Sequence, residues 1–197
     1  HKERYDNAED YALAHFGPTL YERFIKSYTT KQWGTEPRLV PASIVARIPL
    51  RFSWDDRYFT DAYQGVADYG EMCRNMLDHE NIETWLNAEM TPNKAQKVGR
   101  RMVWSGRLDA FANDYALEYR SLRFYRETSI PDQGIGQLNF PSIKDGPATR
   151  AIQARHFGLH PNCPTTVYEC PSQCGHPYYP IASPIADSLR TAVKQTG

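Results

Sequence analysis

Apolar residues recur at helical spacing through the first 80 residues of the chain. This spacing predicts three helices, over Asp10 to about Ala14, Leu20 to Tyr28, and Glu71 to Leu77. The pair Gly17-Pro18 separates the first two helices, because neither residue is favourable inside a helix. Residues 35–65 combine prolines, glycines and arginines and predict a long ordered loop with a short helix near Ala42–Ala46. A loop of that length in a compact domain is usually functional.

Beyond residue 80 the pattern changes to short runs in which apolar and polar positions alternate, as around Leu122 and Phe124. Period-two alternation is typical of strands in an antiparallel sheet. Six strands are predicted, over Glu83–Ala88, Arg101–Ser105, Leu117–Glu127, Gly136–Phe140, Arg150–Phe157 and Thr165–Cys170. A helix over Ile185–Lys194 follows them. The chain is therefore predicted to have an α+β fold, with a helical unit over residues 1–80 and an antiparallel-sheet unit over residues 81–197.

Composition and charge narrow the classes of protein that fit this pattern. The 197 residues carry 23 basic and 23 acidic side chains, so no strongly basic face is expected and nonspecific nucleic-acid binding is disfavoured. No apolar run reaches the roughly 18 residues of a membrane-spanning helix. The segment Lys2-Glu-Arg-Tyr-Asp is too polar for a signal peptide. These features predict a cytoplasmic protein with no membrane span.

Four cysteines raise the question of a metal site. Cys163, Cys170 and Cys174 lie with His160 and His176 in one 17-residue window. Zinc sites usually contain tight C-x2-C or H-x3-H pairs, which Cys170-x3-Cys174-x-His176 matches only loosely. We therefore expect reduced cysteines and no metal, and a zinc-stapled interaction domain is the weaker alternative.

Phe24 and Tyr28 are the most informative aromatic pair. Side chains four residues apart on a helix project from the same face, and two rings at that spacing can hold a flat base between them. The helix is expected to end at Lys31–Gly34, with Trp33 just past its end. The alternative is that Leu20, Phe24 and Tyr28 form an ordinary core stripe, which is the usual meaning of apolar residues at this spacing.

Several motifs then follow in a fixed order along about nine-tenths of the chain, and in that order the chain resembles the UDP-galactopyranose mutase family. The motifs are Tyr28-Thr-x-Lys-Gln-Trp33-Gly34, Arg47-Ile-Pro, Asp56-Arg57-Tyr58-Phe59, Tyr63-Gln64-Gly65, Ser105-Gly106-x-x-Asp109, Glu118-Tyr-Arg-Ser-Leu122, Asn139, Thr149-Arg150 and Pro177-Tyr-Tyr-Pro180. The family consists of flavoenzymes that interconvert the pyranose and furanose forms of UDP-galactose. Each motif alone is weak, but their joint order is specific.

The resemblance implies a role for nine residues in binding a UDP-sugar. Phe24 and Tyr28 would flank the uracil, and Thr29 and Trp33 would lie near the ribose. Arg47, on a loop that closes over substrate, and Arg150 would bind the diphosphate, for which planar guanidinium groups are well suited. The remaining three residues are Tyr58 and Tyr179, whose hydroxyls would face the phosphates, and Asn139 on the nucleotide side. Arg51, Arg57 and Arg120 are interpreted as structural salt-bridge partners.

The resemblance also implies reduced FAD as the cofactor that carries the covalent chemistry. The chain has no G-x-G-x-x-G segment, since Gly134-Ile-Gly136 lacks the third glycine. We therefore expect a fragment that lacks the flavin-binding Rossmann domain, is inactive alone and touches the flavin only near Glu89-Met90. Ala151, Gln153 and Phe140 depart from the family pattern, which leaves open a non-catalytic UDP-sugar-binding module. UDP-galactose or a related UDP-sugar is the expected partner, and self-association into a homo-oligomer is left open.

Overall fold

The structure is a computed structural model that describes residues 5–54, 66, 68–112, 117–157, 161–181 and 183–195. The α-helices described are α1 (Ala8–Leu20), α2 (Ser27–Trp33), α3 (Ser43–Ala46), α4 (Tyr69–Leu77), α5 (Pro92–Val98), α6 (Leu108–Ala112) and α7 (Pro184–Gln195), with a π-helical segment at Tyr21–Lys26. The strands are β1 (Tyr119–Glu127), β2 (Gln137–Asn139), β3 (Arg150–Gln153), β4 (Thr166–Ser172) and β5 (Tyr179–Pro180). Short 3-10 helices lie at Pro37–Leu39, Ile143–Asp145 and Ala154–Phe157.

The strands form one antiparallel sheet in the order β2-β3-β4-β1-β5. Because every strand pair described is antiparallel, this part of the chain contains no parallel βαβ unit of a Rossmann domain. The predicted α+β class is confirmed. Contacts group residues 1–57 with 117–186 in one compact unit and 58–116 with 187–197 in another. The predicted division at residue 80 differs from this grouping and stays a prediction.

Capping and helix-breaking residues determine where the first helices begin and end. The Asn7 side chain accepts a hydrogen bond from the Asp10 amide and caps α1. Gly17 has φ 74° and ψ 168°, so the helical path is interrupted there, as the Gly17-Pro18 pair predicts. The second helical stretch extends further than expected, since Trp33 is its last residue and Gly34, with φ 70°, is its left-handed C-cap.

The helical core uses a different face from the stripe considered in the sequence. Its buried residues are Ala8, Ala12, Tyr21, Ile25, Val40 and Val45. Thr29, only 4% exposed, continues the buried face one turn beyond Ile25. Leu20 and Phe24 are 39% and 45% exposed. The interpretation of Leu20, Phe24 and Tyr28 as a core stripe is therefore wrong, and Phe24 is left accessible.

Two predicted strands are absent from the described structure. Over Glu83–Ala88 the chain turns at Asn87, whose φ of 55° lies in the left-handed region, and no strand pairs with it. Over Arg101–Ser105 the chain is irregular, with Val103 98% exposed. Both segments have strand-like composition but lack the partner strand that this composition needs. The strand predicted over Arg150–Phe157 ends at Gln153 and continues as a 3-10 helix.

The remaining predicted elements correspond to β1, β2, β4, α3, α4 and α7, whereas α5 and α6 were not predicted. None of the helices in the described ranges is both long enough and apolar enough to cross a membrane.

The core assignment predicts unequal effects of two alanine substitutions on the same helical stretch. Ile25→Ala should lower the free energy of unfolding by about 2–4 kcal/mol, because a buried side chain is removed. Leu20→Ala, the matched control, should cost less than about 1 kcal/mol, because that side chain is partly exposed. Urea unfolding measures both values. An equal or larger loss for Leu20→Ala would contradict the assignment.

Candidate functional site

Strand register aligns three polar residues across the sheet. Asn139 pairs with Arg150 between β2 and β3, and Arg150 pairs with Glu169 between β3 and β4. Residues directly opposite each other in an antiparallel pair point to the same face, with side chains about 5 Å apart at Cβ. Asn139 and Arg150, predicted separately, are therefore neighbours on one face of the sheet.

The same face continues across β1 to β5. Glu169 pairs with Phe124 on β1, and Arg120, four residues before Phe124, shares its face. Arg120 pairs in turn with Tyr179 on β5. The row thus joins predicted residues at both ends of the sheet, and we call this surface the arginine face.

Tyr28 lies within electrostatic reach of the arginine face. Burial raises the pKa of the Tyr28 hydroxyl, and the Arg150 guanidinium beside it opposes that rise. Arg47 also lowers this pKa, whereas Glu169 and Tyr179 raise it. The Tyr28 hydroxyl is therefore in the electrostatic field of Arg47, Arg150 and Tyr179, residues up to 151 positions away in the sequence.

Arg150 is the cation at the centre of this arrangement. Its Nη2 lies 3.2 Å from Glu169 Oε1, in an ion pair whose side chains are 26% and 8% exposed. Burial raises the pKa of Glu169, and Arg150 acts in the opposite direction. The Glu169 side chain is nearly inaccessible, whereas a quarter of the Arg150 side chain remains exposed, so the arginine is the partner of this pair that a further polar group can contact.

Trp33 and Tyr179 bring the helical stretch and the sheet together. Their ring centroids are 6.3 Å apart with an interplanar angle of 55°. Both residues are partly buried. The two rings therefore form a wall at the β5 end of the arginine face.

Phe24 and Thr29 occupy opposite environments. Phe24 is exposed, with the Arg23 guanidinium 5.3 Å from its ring centroid. Thr29 is buried on the core face. The π-helical segment Tyr21–Lys26 precedes Tyr28, so Phe24 and Tyr28 are not separated by a regular α-helical turn. Their roles at a base and a ribose stay predictions.

Arg47 is exposed at the end of α3, where its Nε donates a hydrogen bond to the Ile44 carbonyl at 3.2 Å. This weak, local anchor leaves the guanidinium free to reach a ligand.

Tyr58 and Arg57 lie outside the described residues. Arg120 was expected to form a salt bridge, but its guanidinium instead donates to backbone carbonyls of α2.

The departures from the family pattern do not weaken Arg150 directly. Gln153 is fully buried, and its amide donates to Pro131 O and Thr166 Oγ1, both at 3.0 Å, while its carbonyl accepts from the Gln133 amide at 2.9 Å. Three positions after Arg150 on one strand, it faces the other side of the sheet. Its role is to hold the loop between β1 and β2.

A cavity of about 510 Å³ lies on that other side, lined by residues that include Arg123, Tyr125, Tyr168 and Cys170. None of the predicted site residues lines it. Cys174 is exposed beside it, and hydrogen bonds from Ser172 and Arg123 lower the pKa of its thiol. Within the described ranges, no three His, Cys, Asp or Glu side chains are grouped as metal ligands.

The two residues predicted to contact a flavin show no cradle for one. Glu89 is exposed and Met90 partly buried in the loop before α5, and the Glu89 carbonyl accepts a hydrogen bond from Lys94 Nζ at 3.2 Å. The described residues do not fit a dinucleotide by themselves, because no glycine-rich strand-to-helix turn is present among them. A flavin contact at Glu89-Met90 stays a prediction.

Glu169 and Lys31 make contacts that the sequence did not predict. Glu169 is the one acidic residue of β4, and its isolation in an otherwise uncharged strand was the available signal. Lys31 Nζ donates to the carbonyls of Ser142, Gly146 and Ala148 at 2.9, 3.3 and 2.9 Å. Nothing in the local sequence of Lys31 indicated these contacts, which join positions more than 110 residues apart.

Fold and site together define an α+β protein with a cationic, tyrosine-lined sheet face. A family model described as UDP-galactopyranose mutase (GLF) matches residues 23–195. The chain is 40% identical over 183 residues to a Klebsiella pneumoniae protein named probable UDP-galactopyranose mutase, covering 88% of this chain and 47% of that protein. It is 34% identical over 161 residues to the dTDP-fucopyranose mutase of Escherichia coli, covering 76% of this chain and 42% of that protein.

The chain therefore belongs to the UDP-galactopyranose mutase family, as its motifs predict. It spans less than half the length of the curated relatives it matches.

The Arg150–Glu169 pair predicts a pH-dependent cost for losing the arginine. Arg150→Met should lower the free energy of unfolding by about 3 kcal/mol at pH 7, because Glu169 is left buried and unpaired. A carboxyl group with a raised pKa in the folded state binds its proton more tightly there, so stability falls as pH rises from the unfolded pKa through the folded one. The loss of stability caused by Arg150→Met should therefore be smaller below about pH 5.

The double variant Arg150→Met/Glu169→Gln is the control for this prediction. It should recover most of the stability at pH 7 and lose the pH dependence, because no buried charge remains. Urea unfolding between pH 4 and 8 measures both effects. A loss that does not vary with pH, or that Glu169→Gln does not relieve, would contradict the pairing.

Proposed function

We propose that this chain is the nucleotide-sugar-binding part of a UDP-galactopyranose mutase, which isomerises UDP-galactopyranose to UDP-galactofuranose with the help of FAD. The observation that supports this proposal most strongly is the strand register that places Asn139, Arg150 and Tyr179 on one sheet face, with the charges of Arg47 and Arg150 acting on the Tyr28 hydroxyl. A nucleoside diphosphate needs cationic groups for its phosphates and aromatic rings for its base, and both kinds of group meet here.

The diphosphate is assigned to the two arginines. The Arg150 side chain is 26% exposed, which leaves part of it accessible to a phosphate group. Within the part of the chain that the structure describes, Arg47 makes one side-chain hydrogen bond, to a carbonyl of α3, and the exposed guanidinium can reach a ligand from the side of that helix. Two guanidinium groups can neutralise a doubly charged diphosphate. Tyr58 and Tyr179 add hydroxyl donors in this assignment.

The uracil and ribose are assigned to the helical stretch. Phe24 is exposed and available for stacking because it lies off the core face. Tyr28 is part of the cluster around Arg150, so a base near Tyr28 is adjacent to the phosphate-binding arginines. Trp33 is assigned to the ribose side, and Asn139 to the nucleotide side next to Arg150. Thr29, on the buried core face, can support the ribose side only from behind the helix surface.

The catalytic contribution of this chain is binding and charge stabilisation. When bound by the complete protein, reduced FAD would supply the nucleophile for the anomeric carbon. Arg47 and Arg150 would stabilise the negative charge on the diphosphate as its bond to the sugar breaks, and the aromatic groups would hold the nucleotide in place for its return. A cytoplasmic location and a homo-oligomeric state belong to the same proposal.

A second candidate is a mutase for another nucleoside diphosphate sugar, which the similarity to a dTDP-fucopyranose mutase favours. UDP and dTDP differ in the base methyl group and the ribose 2′-hydroxyl. A third, a non-catalytic UDP-sugar-binding module, differs from both in lacking turnover. Nucleotide preference and turnover therefore separate the three candidates.

Titration of the full-length protein with UDP should quench the fluorescence of Trp33 and saturate. Trp33→Phe should abolish the signal, and Trp85→Phe, at an exposed position in the other compact unit, is the matched control that should retain it. We expect ADP to bind more weakly than UDP by at least about tenfold, because the base is held by specific contacts. Stronger quenching by dTDP than by UDP would favour the second candidate, and no saturable signal with either would contradict the proposed site.

Removal of the arginines should reduce turnover in the full-length protein. Arg47→Ala, and Arg150→Met in the Glu169→Gln background that spares the fold, should each lower kcat/KM by at least about 100-fold, because each removes a charge from the departing diphosphate. Arg38→Ala is the control, since Arg38 is exposed and pairs with Glu36. Conversion of UDP-galactopyranose followed by chromatography gives the rates. Near-normal rates for both arginine variants would contradict the assignment of the diphosphate to Arg47 and Arg150.

A further inference from the structure

The C-terminal end of α2 is held by a buried arginine from the sheet. Arg120 on β1 is 6% exposed, and its Nε and Nη2 donate to the carbonyls of Gln32 and Lys31, each at 3.2 Å. These carbonyls belong to the last helical turn, where no intrahelical donor is available to them. A guanidinium at this end also interacts favourably with the negative end of the helix dipole.

Arg120 also fixes the strand that carries Tyr179. Its own carbonyl accepts a hydrogen bond from the Tyr178 amide at 3.1 Å, and Arg120 is the ladder partner of Tyr179. One residue therefore contacts the residues next to Trp33 with its side chain and the residues next to Tyr179 with its backbone. The 6.3 Å contact between the Trp33 and Tyr179 rings lies directly beside this junction.

The Arg120 guanidinium packs directly against Gly34. A Cβ added to Gly34 would lie 2.7 Å from Arg120 Nη1 and 2.9 Å from Arg120 Cζ, so a side chain there would require the guanidinium to move. No carboxylate pairs with Arg120 among the described residues, and burial lowers the pKa of its guanidinium. Burying a cation that contacts only carbonyl groups costs free energy. The role of Arg120 is therefore better explained by the geometry that it imposes on the end of α2 than by charge pairing.

We propose that Arg120 is a positioning residue that sets the orientation of Trp33 against Tyr179 and thereby shapes the nucleoside side of the site. The ligand in this inference, a nucleoside diphosphate, is taken from the proposed function. The positioning of Trp33 by Arg120 does not depend on that function. Arg120 does not touch the ligand in this account. It acts through the helix end that carries Trp33.

The planar, forked shape of the guanidinium allows Arg120 to hold the end of α2. It reaches two successive carbonyls at once, whereas a lysine ammonium in the same place is a point donor on a flexible stem. Lys31 anchors the same helix end independently through three carbonyls of residues 142–148. Variants of Arg120 should therefore keep α2 docked and change mainly the orientation of its last turn.

Two variants of the full-length protein, Arg120→Lys and Arg120→Met, test the proposal. Arg126→Met is the matched control, because Arg126 lies on the same strand and the same sheet face but is exposed. The first readout needs no ligand. In a background where every other tryptophan of the full-length protein is changed to phenylalanine, Trp54, Trp85 and Trp104 among them, acrylamide quenching reports Trp33 alone, and circular dichroism confirms folding.

We expect both Arg120 variants to increase the quenching constant of Trp33 by about twofold or more, because the ring loses its fixed neighbour, while Arg126→Met leaves it unchanged. Quenching constants within about 20% of the parent value in the folded variants would overturn the proposal. This outcome is independent of whether the protein binds UDP.

The second readout is a double-mutant cycle on UDP affinity between Arg120→Lys and Trp33→Phe, measured by calorimetry. If Arg120 acts through Trp33, Arg120→Lys should weaken binding about tenfold in the wild type and less than about twofold in the Trp33→Phe background. Additive effects would overturn the proposal, since a purely structural residue would cost the same in both backgrounds. Absence of UDP binding in the wild type would count against the proposed function, and the quenching experiment would still decide the role of Arg120.

Discussion

The register of the antiparallel sheet is the constraint on which the site depends. It places Asn139, Arg150 and Glu169 in one row and Arg120 opposite Tyr179 on the same face. A slip of one residue in β3 would move Arg150 to the opposite face, beside the cavity lined by Arg123 and Tyr168. The buried Gln153, with its three hydrogen bonds to the β1–β2 loop and β4, opposes such a slip because it has no equivalent partners in another register.

The helical stretch meets this sheet with its core-facing and ligand-facing sides already separated. Tyr21, Ile25 and Thr29 are buried, which leaves Phe24 accessible and brings Tyr28 within reach of Arg150. The end of the stretch is fixed from two directions, by Lys31 toward residues 142–148 and by Arg120 toward the sheet. The aromatic residues proposed for a base and the sheet that carries Arg150 are thus joined by side-chain hydrogen bonds to backbone carbonyls, not by salt bridges.

The sequence predicted the α+β class, the break at Gly17, most strands from residue 117 onward and the family, because these depend on local spacing and ordered motifs. It failed over Glu83–Ala88 and Arg101–Ser105, where strand-like composition has no partner strand, and pairing is a non-local property. The alternative core stripe of Leu20, Phe24 and Tyr28 names the wrong helix face, since Leu20 and Phe24 follow the same spacing as Tyr21 and Ile25. The carbonyl contacts of Arg120 and Lys31 join distant segments, so no local pattern could indicate them. Tyr58 and the Glu89-Met90 assignment stay predictions.

The central claim is that the arginine face, rather than the cavity on the other side of the sheet, receives a nucleoside diphosphate. A crystal structure of the full-length protein with UDP tests it most directly. We expect the diphosphate within hydrogen-bond distance of Arg150, with the base beside Tyr28 and Phe24 and the ribose next to Trp33. Density for UDP in the cavity lined by Arg123, Tyr125 and Tyr168, with the arginine face unoccupied, would contradict it.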